Sequence, residues 1–346
     1  MTRAAVIDAA RTLAITSTDR PVPGPGEVRI EVAYCGLCGS DVHLFFDPPE
    51  PTVGHILGHE FSGIIDAVAD DVIDWSAGDR VVVLPIAPCG QCRACLGGDD
   101  NAICLIGLMA GPGLGRPGGL ADSVTVPARM LHRIPDGLSL RDAALTEPLA
   151  VAMRGVSHAA VGPGDTVVVF GAGPIGLLTA AALHARGIEH VLVVEPNPER
   201  RTVAAGFGVT VATPDTAAEA LATLPGPAHA VIDCSGHSSV PAQAVGLLGY
   251  AGRLVIVGLP TVPAEIPLLG LTINELHIIG STAYSTRDFG ESLRALATGR
   301  IDVDALITSV VGLDAADAKI HELHSGASSD VKVLIAHTTR AGARRA

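Results

Sequence analysis

Positive charge is scarce in this chain. Against 36 Asp and Glu stand only 23 Lys and Arg, which leaves a formal net charge of −13 over 346 residues. Nucleic acid and anionic membrane are both bound through clustered Lys and Arg, so neither is expected as a partner. The one basic cluster, residues 340–345, is too short to reverse that balance and reads as a solvated tail. No secretory signal begins at Met1, and the seven cysteines are odd in number and tightly spaced. Disulfides are therefore not expected, and reduced thiols in a cytoplasm are. Internal repeats are absent. An unbroken membrane-length helix is missing too: residues 167–185 carry no Asp, Glu, Lys or Arg, but Gly171, Gly173, Pro174 and Gly176 divide them into strand, turn and helix.

What remains is a globular chain. A hydrophobic content of 48% at this length is enough for about two packed cores. Residues 1–150 read as a β-rich domain of short strands, with the turn cluster Pro21-Val-Pro-Gly-Pro-Gly26 before the alternating run 28–33. From 151 to 284 strands and helices alternate, with apolar strands at 166–170, 190–194, 228–232, 253–257 and 277–280. That is the texture of a doubly wound α/β domain with a parallel sheet. Residues 285–346 hold an amphipathic helix at 289–297 and a strand at 331–336. They are too few for a third domain and are expected to pack back onto the first.

Three motifs carry chemistry. Cys89, Cys92, Cys95 and Cys104 have the spacing of one closed, tetrahedral, structural zinc lobe. Gly171-Ala-Gly173-Pro174-Ile175-Gly176 follows an apolar strand and opens a helix, so backbone N–H groups and the helix N-terminus can face a pyrophosphate. Glu195 ends the next strand, where a carboxylate accepts from the adenosine ribose and repels a 2′-phosphate. This favours NAD over NADP, with Arg200 and Arg201 as the counterweight. Third comes Cys35-Gly-Leu-Cys38-Gly-Ser40-Asp41-Val-His43, followed by Gly58-His59-Glu60 and, at the domain junction, Glu147-Pro148-Leu149-Ala150. A Cys and a His with twenty residues between them do not complete a four-ligand site, which suits a catalytic zinc with an open position.

In this order the motifs resemble the zinc-dependent medium-chain dehydrogenases over nearly the whole chain, and most closely the branch of polyol, butanediol and threonine dehydrogenases. The resemblance implies a GroES-like β-rich catalytic domain (1–150), a Rossmann NAD-binding domain (151–284) and a return segment (285–346) that completes the first. It implies two zinc ions per chain: a structural one in the lobe, and a catalytic one on Cys38 and His59 with Glu60 and Glu147 binding directly or through water. Ser40 and His43 match the relay that moves the alcohol proton to solvent, and Asp41 the carboxylate that orients His59. The activity implied is NAD-dependent, reversible oxidation of a secondary alcohol, in a homotetramer or homodimer acting on small molecules. An NADP-preferring carbonyl reductase and a non-catalytic NAD- and zinc-binding protein are the alternatives. If Cys38, Glu60 and Glu147 all ligate, three anions outweigh one divalent ion, so this site should hold its metal less firmly than the lobe. Cys35 and Cys234 read as buried thiols, and Phe45 and Phe46 as either substrate wall or core. The chain departs from the pattern in one extra residue between Cys95 and Cys104, in Arg154, and in Ser123.

Overall fold

The computed structural model describes residues 1–9, 11–48, 52–97, 103–260, 262–326 and 328–338. The basic cluster at 340–345 and residues 98–102 of the lengthened lobe loop 96–103 lie outside them. The chain divides into two compact units, Met1–Glu147 with Val303–Ala346, and Pro148–Asp302.

The first unit is organised by the strand Glu27–Gly36, which pairs antiparallel with Glu60–Val68, Ser123–Pro127 and Lys332–Ala336. Its inward residues Val28, Ile30 and Val32 alternate as the sequence pattern requires. They bury against Phe61, Ile65, Val81, Val124, Val333 and Ile335. The strand-to-strand pairings described within residues 1–147 are antiparallel, and the return segment adds one parallel pair, Ile307–Gly312 with Lys332–Ala336.

The second unit holds a six-stranded parallel sheet. Its order is Thr210–Ala212, His190–Val194, Thr166–Phe170, Ala228–Asp233, Leu248–Ile256, His277–Gly280. All five residues of Thr166–Phe170 are buried, as befits a strand covered on both faces. Thr210–Ala212 was not expected, because three residues are too few to show a period. The chain winds outward in both directions from Thr166–Phe170, so the crevice at the carboxyl ends of this strand and Ala228–Asp233 is the topological switch point.

The boundary at 285 falls instead at Val303. The amphipathic helix, Thr286–Ala297, starts earlier than expected on a Ser285–Asp288 capping box and stays with the second unit. Ion pairs hold it there: buried Asp288 meets Arg154 at 3.5 Å and accepts from Ser157 Oγ at 3.3 Å, while Glu291 pairs with Arg186 at 2.7 Å. Arg154 thus has a structural partner. Ser123 Oγ accepts from Arg20 at 3.2 Å within the first unit.

Candidate metal centres and dinucleotide cavity

Cys38 is the N-cap of the helix Gly39–Phe46. Asp41, at the third helical position, reaches back to accept from the Cys38 backbone N–H at 2.9 Å, which closes a capping box. Its other oxygen accepts from Gly58 N at 3.1 Å and lies 3.5 Å from His59 Nδ1. One fully buried carboxylate therefore fixes both the helix start that carries Cys38 and the turn that carries His59. Burial pushes the Asp41 carboxyl up, but His59 and the two N–H groups outweigh it and hold it below the usual range. Gly58 sits at φ +96, and a Cβ there would lie 2.6 Å from the buried Cys35 sulfur, so the tight approach of the two segments requires glycine. Cys35 is packed away as expected, and burial pushes its thiol well up.

From these supports the ligand atoms of Cys38, His59 and Glu60 converge to within 4.8 Å of one another. A thiol, an imidazole and a carboxylate gathered in a buried place suit a divalent, zinc-type ion. Glu147, buried in the first turn of Thr146–Ala159, is not in that group of three. Ser40 Oγ lies 3.3 Å from His59 Nε2, whereas His43, three residues along the same helix, is exposed. Phe45 is buried in the core, and Phe46 stacks on His324 with ring centroids 3.7 Å apart, so both pack against the helix Ala316–Ser325.

Lys332 escaped the sequence reading. Its ammonium, 4% exposed, donates to Glu60 Oε1 at 2.6 Å and to Leu37 O at 3.0 Å. The signal was there: a lysine inside the apolar strand Val-Lys332-Val-Leu-Ile demands a buried anion.

In the lobe, Cys92 Sγ lies 3.6 Å from Cys95 Sγ and 3.7 Å from Cys104 Sγ, and Cys89 lies 3.9 Å from Cys95. A tetrahedron with Zn–S bonds of about 2.3 Å has edges of about 3.8 Å, so the four sulfurs fit one zinc. Backbone N–H groups of Cys89 and Gly107 point at Cys104 Sγ, at 3.4 and 3.2 Å. Those of Gln91 and Cys92 draw the Cys89 thiol down to about 6.

In the second unit a cavity of about 480 Å³ opens at the switch point. Phe170, Gly171, Gly173, Glu195, Arg200 and Ser235 are among its lining. Gly171 takes φ +93, and a Cβ on Gly176 would lie 1.9 Å from Gly171 O, so the helix Pro174–Ala185 packs on its strand only with glycine there. A Cβ on Gly173 meets nothing within 4 Å, which leaves the cavity wall open at that point. Glu195 is buried and accepts from Ala172 N at 2.8 Å and Asn197 N at 2.9 Å. Arg201 is committed to the backbone oxygens of Glu195 and Pro196, at 2.7 and 2.6 Å, and only Arg200 of the pair lines the cavity. Asp233, another residue missed from sequence, accepts from Ser235 N, Ser235 Oγ and Gly236 N and shapes the wall beside Ser235. Cys234 lines the same cavity, its thiol pushed up to about 12 by burial.

A β-rich unit with two clusters that could hold metals and a doubly wound unit with a cavity at its switch point have the parts that a metal-assisted, nucleotide-dependent oxidoreductase needs. Family models match accordingly: an alcohol dehydrogenase GroES-like domain over residues 24–136 and a zinc-binding dehydrogenase domain over 174–298. The chain belongs to the zinc-dependent medium-chain alcohol dehydrogenase family. A 2-dehydro-3-deoxy-L-galactonate 5-dehydrogenase from Pseudoalteromonas atlantica is 35% identical over 294 residues, which is 83% of this chain and 85% of the relative. The crystal structure of 2R,3R-butanediol dehydrogenase from Bacillus subtilis superposes with a TM-score of 0.87 at 30% identity, covering 98% of this chain and 100% of that one. A zinc-binding dehydrogenase from Sinorhizobium meliloti, solved bound to NADP, gives 0.88 at 28% identity, covering 97% and 99%. The chain is thus a dehydrogenase of CH–OH donors that interconverts alcohol and ketone, and its cofactors are zinc and a nicotinamide dinucleotide. Among the described residues no helix is long and apolar enough to cross a membrane.

Proposed function

We propose that the chain oxidises, reversibly and with NAD, a secondary alcohol that carries a neighbouring hydroxyl, as polyols, vicinal diols and sugar acids do. The observation that carries this is the convergence of Cys38, His59 and Glu60 within 4.8 Å. Two relatives named for a butanediol and a deoxygalactonate support the neighbouring hydroxyl. When bound, zinc at Cys38, His59 and Glu60, with Glu147 nearby, supplies a Lewis acid for the substrate oxygen, and the nicotinamide supplies the hydride acceptor. Ser40 Oγ, 3.3 Å from His59 Nε2, would take the hydroxyl proton. His43, exposed on the same helix face, passes it to water.

NAD is favoured because Glu195 would set a buried carboxylate beside the ribose end of the cavity, with Arg200 but not Arg201 on the lining to receive a 2′-phosphate. Gly171, Gly173, Pro174, Ile175 and Gly176 hold the pyrophosphate. The lobe holds the second, structural zinc. Seven free thiols suit a cytoplasm. The open edge strand His277–Gly280, together with the exposed Leu268, Leu269 and Ile273, supports a homo-oligomer, dimer or tetramer.

The test is a panel of secondary alcohols, with and without a vicinal hydroxyl, against NAD+ and NADP+, read by absorbance of the reduced nicotinamide, with metals counted per chain. Diols turned over with NAD+ and two zinc ions per chain are expected. A clear NADP+ preference overturns the role of Glu195, and a metal-loaded, NAD-binding chain without turnover on any alcohol leaves a non-catalytic protein.

A further inference from the structure

The ammonium of Lys332 has no part in the chemistry above, yet it touches both sides of the proposed metal site. It grips the Glu60 side chain and also the carbonyl of Leu37, the residue before Cys38. The pair is built in. A Cβ on Gly36 would lie 2.0 Å from Glu60 Oε2 and 3.0 Å from Lys332 Cε, so the strand leaves its side chain out where the two charges meet. Cys38 and Glu147 also contribute their charge at Lys332. A Cys38 thiolate, Glu60 and Glu147 exceed a divalent ion by one negative charge, and Lys332 cancels it. A buried ammonium is costly to keep unless its partner is an anion that stays nearby, and a carboxylate neutralised in this way is a poorer metal donor than a free one.

We propose that Lys332 is a positioning residue that restrains Glu60 from full ligation, so that an ion held by Cys38 and His59 keeps a position for substrate oxygen and remains exchangeable. The inference rests on the metal site of the proposed function. It departs from a merely structural pair in its sign: removing a structural residue loosens the metal, whereas removing a restraint on a ligand tightens it.

Release of zinc from the loaded full-length protein to a chromophoric chelator reads this directly, with the lobe's zinc as an internal control of folding. In Lys332→Met, release from the Cys38 site slows by roughly tenfold while release from the lobe is unchanged. Lys332→Arg restores the original rate, and in a Glu60→Gln background Lys332→Met has no further effect. Faster or unaltered release from the Cys38 site, with the lobe intact, overturns the proposal. Should Lys332→Met fail to fold, Glu60→Gln alone decides: a restrained carboxylate predicts release accelerated by less than about tenfold, and a hundredfold acceleration overturns it. Failure of the underlying metal site looks different. The unsubstituted protein would then hold one zinc per chain, and Cys38→Ala would remove none.

Discussion

Two clusters of side chains that could each hold a metal sit in one unit and are built in opposite ways. In the lobe, four thiols come from one short stretch, and what surrounds them is backbone: N–H groups of Cys89, Gln91, Cys92 and Gly107 point at the sulfurs. The helices there, Arg93–Leu96 and Leu105–Met109, are too short to be stable alone, so an ion bound by the four thiols would add much of the lobe's stability. Around Cys38, His59 and Glu60 the supports are charges buried in a sheet, Asp41 behind one ligand and Lys332 behind another. That scaffold is tied into a paired sheet and its core. The difference teaches that a thiol cluster that fills every position serves folding, whereas a mixed set on a rigid sheet, one anion already paired, can serve turnover.

The sharpest way to break the comparison is to remove one sulfur from each cluster. Cys38→Ala is expected to lower turnover by at least about a thousandfold, equivalent to about 4 kcal/mol, while NAD binding, the lobe's zinc and the melting temperature are retained. Absorbance assays, calorimetric NAD titration and metal counting check it. Surviving activity would place the chemistry elsewhere. Cys92→Ser is expected to act through stability instead, with the lobe's zinc lost and the first unit's calorimetric midpoint lowered by on the order of 10 °C. Per remaining folded molecule, turnover stays within a few-fold. Were Cys92→Ser to abolish turnover in a fully folded chain, the division between folding and chemistry would fail.

Graded chelation sharpens the same contrast with a smaller effect. The Cys38 site should release zinc at least about tenfold faster than the lobe, because an imidazole and a partly neutralised carboxylate replace two thiolates. Activity should therefore vanish before secondary structure changes. Simultaneous release, or release from the lobe first, counts against it.

Much of this was legible in the sequence because it is local. Cys89 to Cys104 and Gly171 to Gly176 each lie on one short segment, the first readable from its spacing and the second from its place between an apolar strand and a helix. The parallel sheet was legible because strands such as Val167, Val168 and Val169 are apolar on both faces. Less local features were harder. Lys332 meets Glu60 across 272 positions of sequence, a pairing that only the strand order Lys332–Ala336, Glu27–Gly36, Glu60–Val68 brings about. The later boundary at Val303 likewise depends on Arg154 and Arg186 finding Asp288 and Glu291. Glu147 is the intermediate case, singled out from sequence and found buried but outside the group formed by Cys38, His59 and Glu60.

The smallest effect concerns protons. N–H donors from Gln91 and Cys92 stabilise the Cys89 thiolate and bring that thiol to about 6, although it is not buried. In metal-free protein at pH 7.5 Cys89 has therefore already lost its proton, so zinc entering the lobe displaces fewer than four. At pH 5.5, below that value, Cys89 is mostly protonated and zinc must displace its proton as well, so the number released rises by about one and the apparent affinity falls correspondingly faster with acid. Calorimetry of zinc reloading in buffers of different ionisation heat measures the count at each pH. Four protons released at both pH values would show that the backbone does not hold Cys89 as a thiolate, and would remove the distinction between a cluster prepared by N–H groups and one prepared by buried charges.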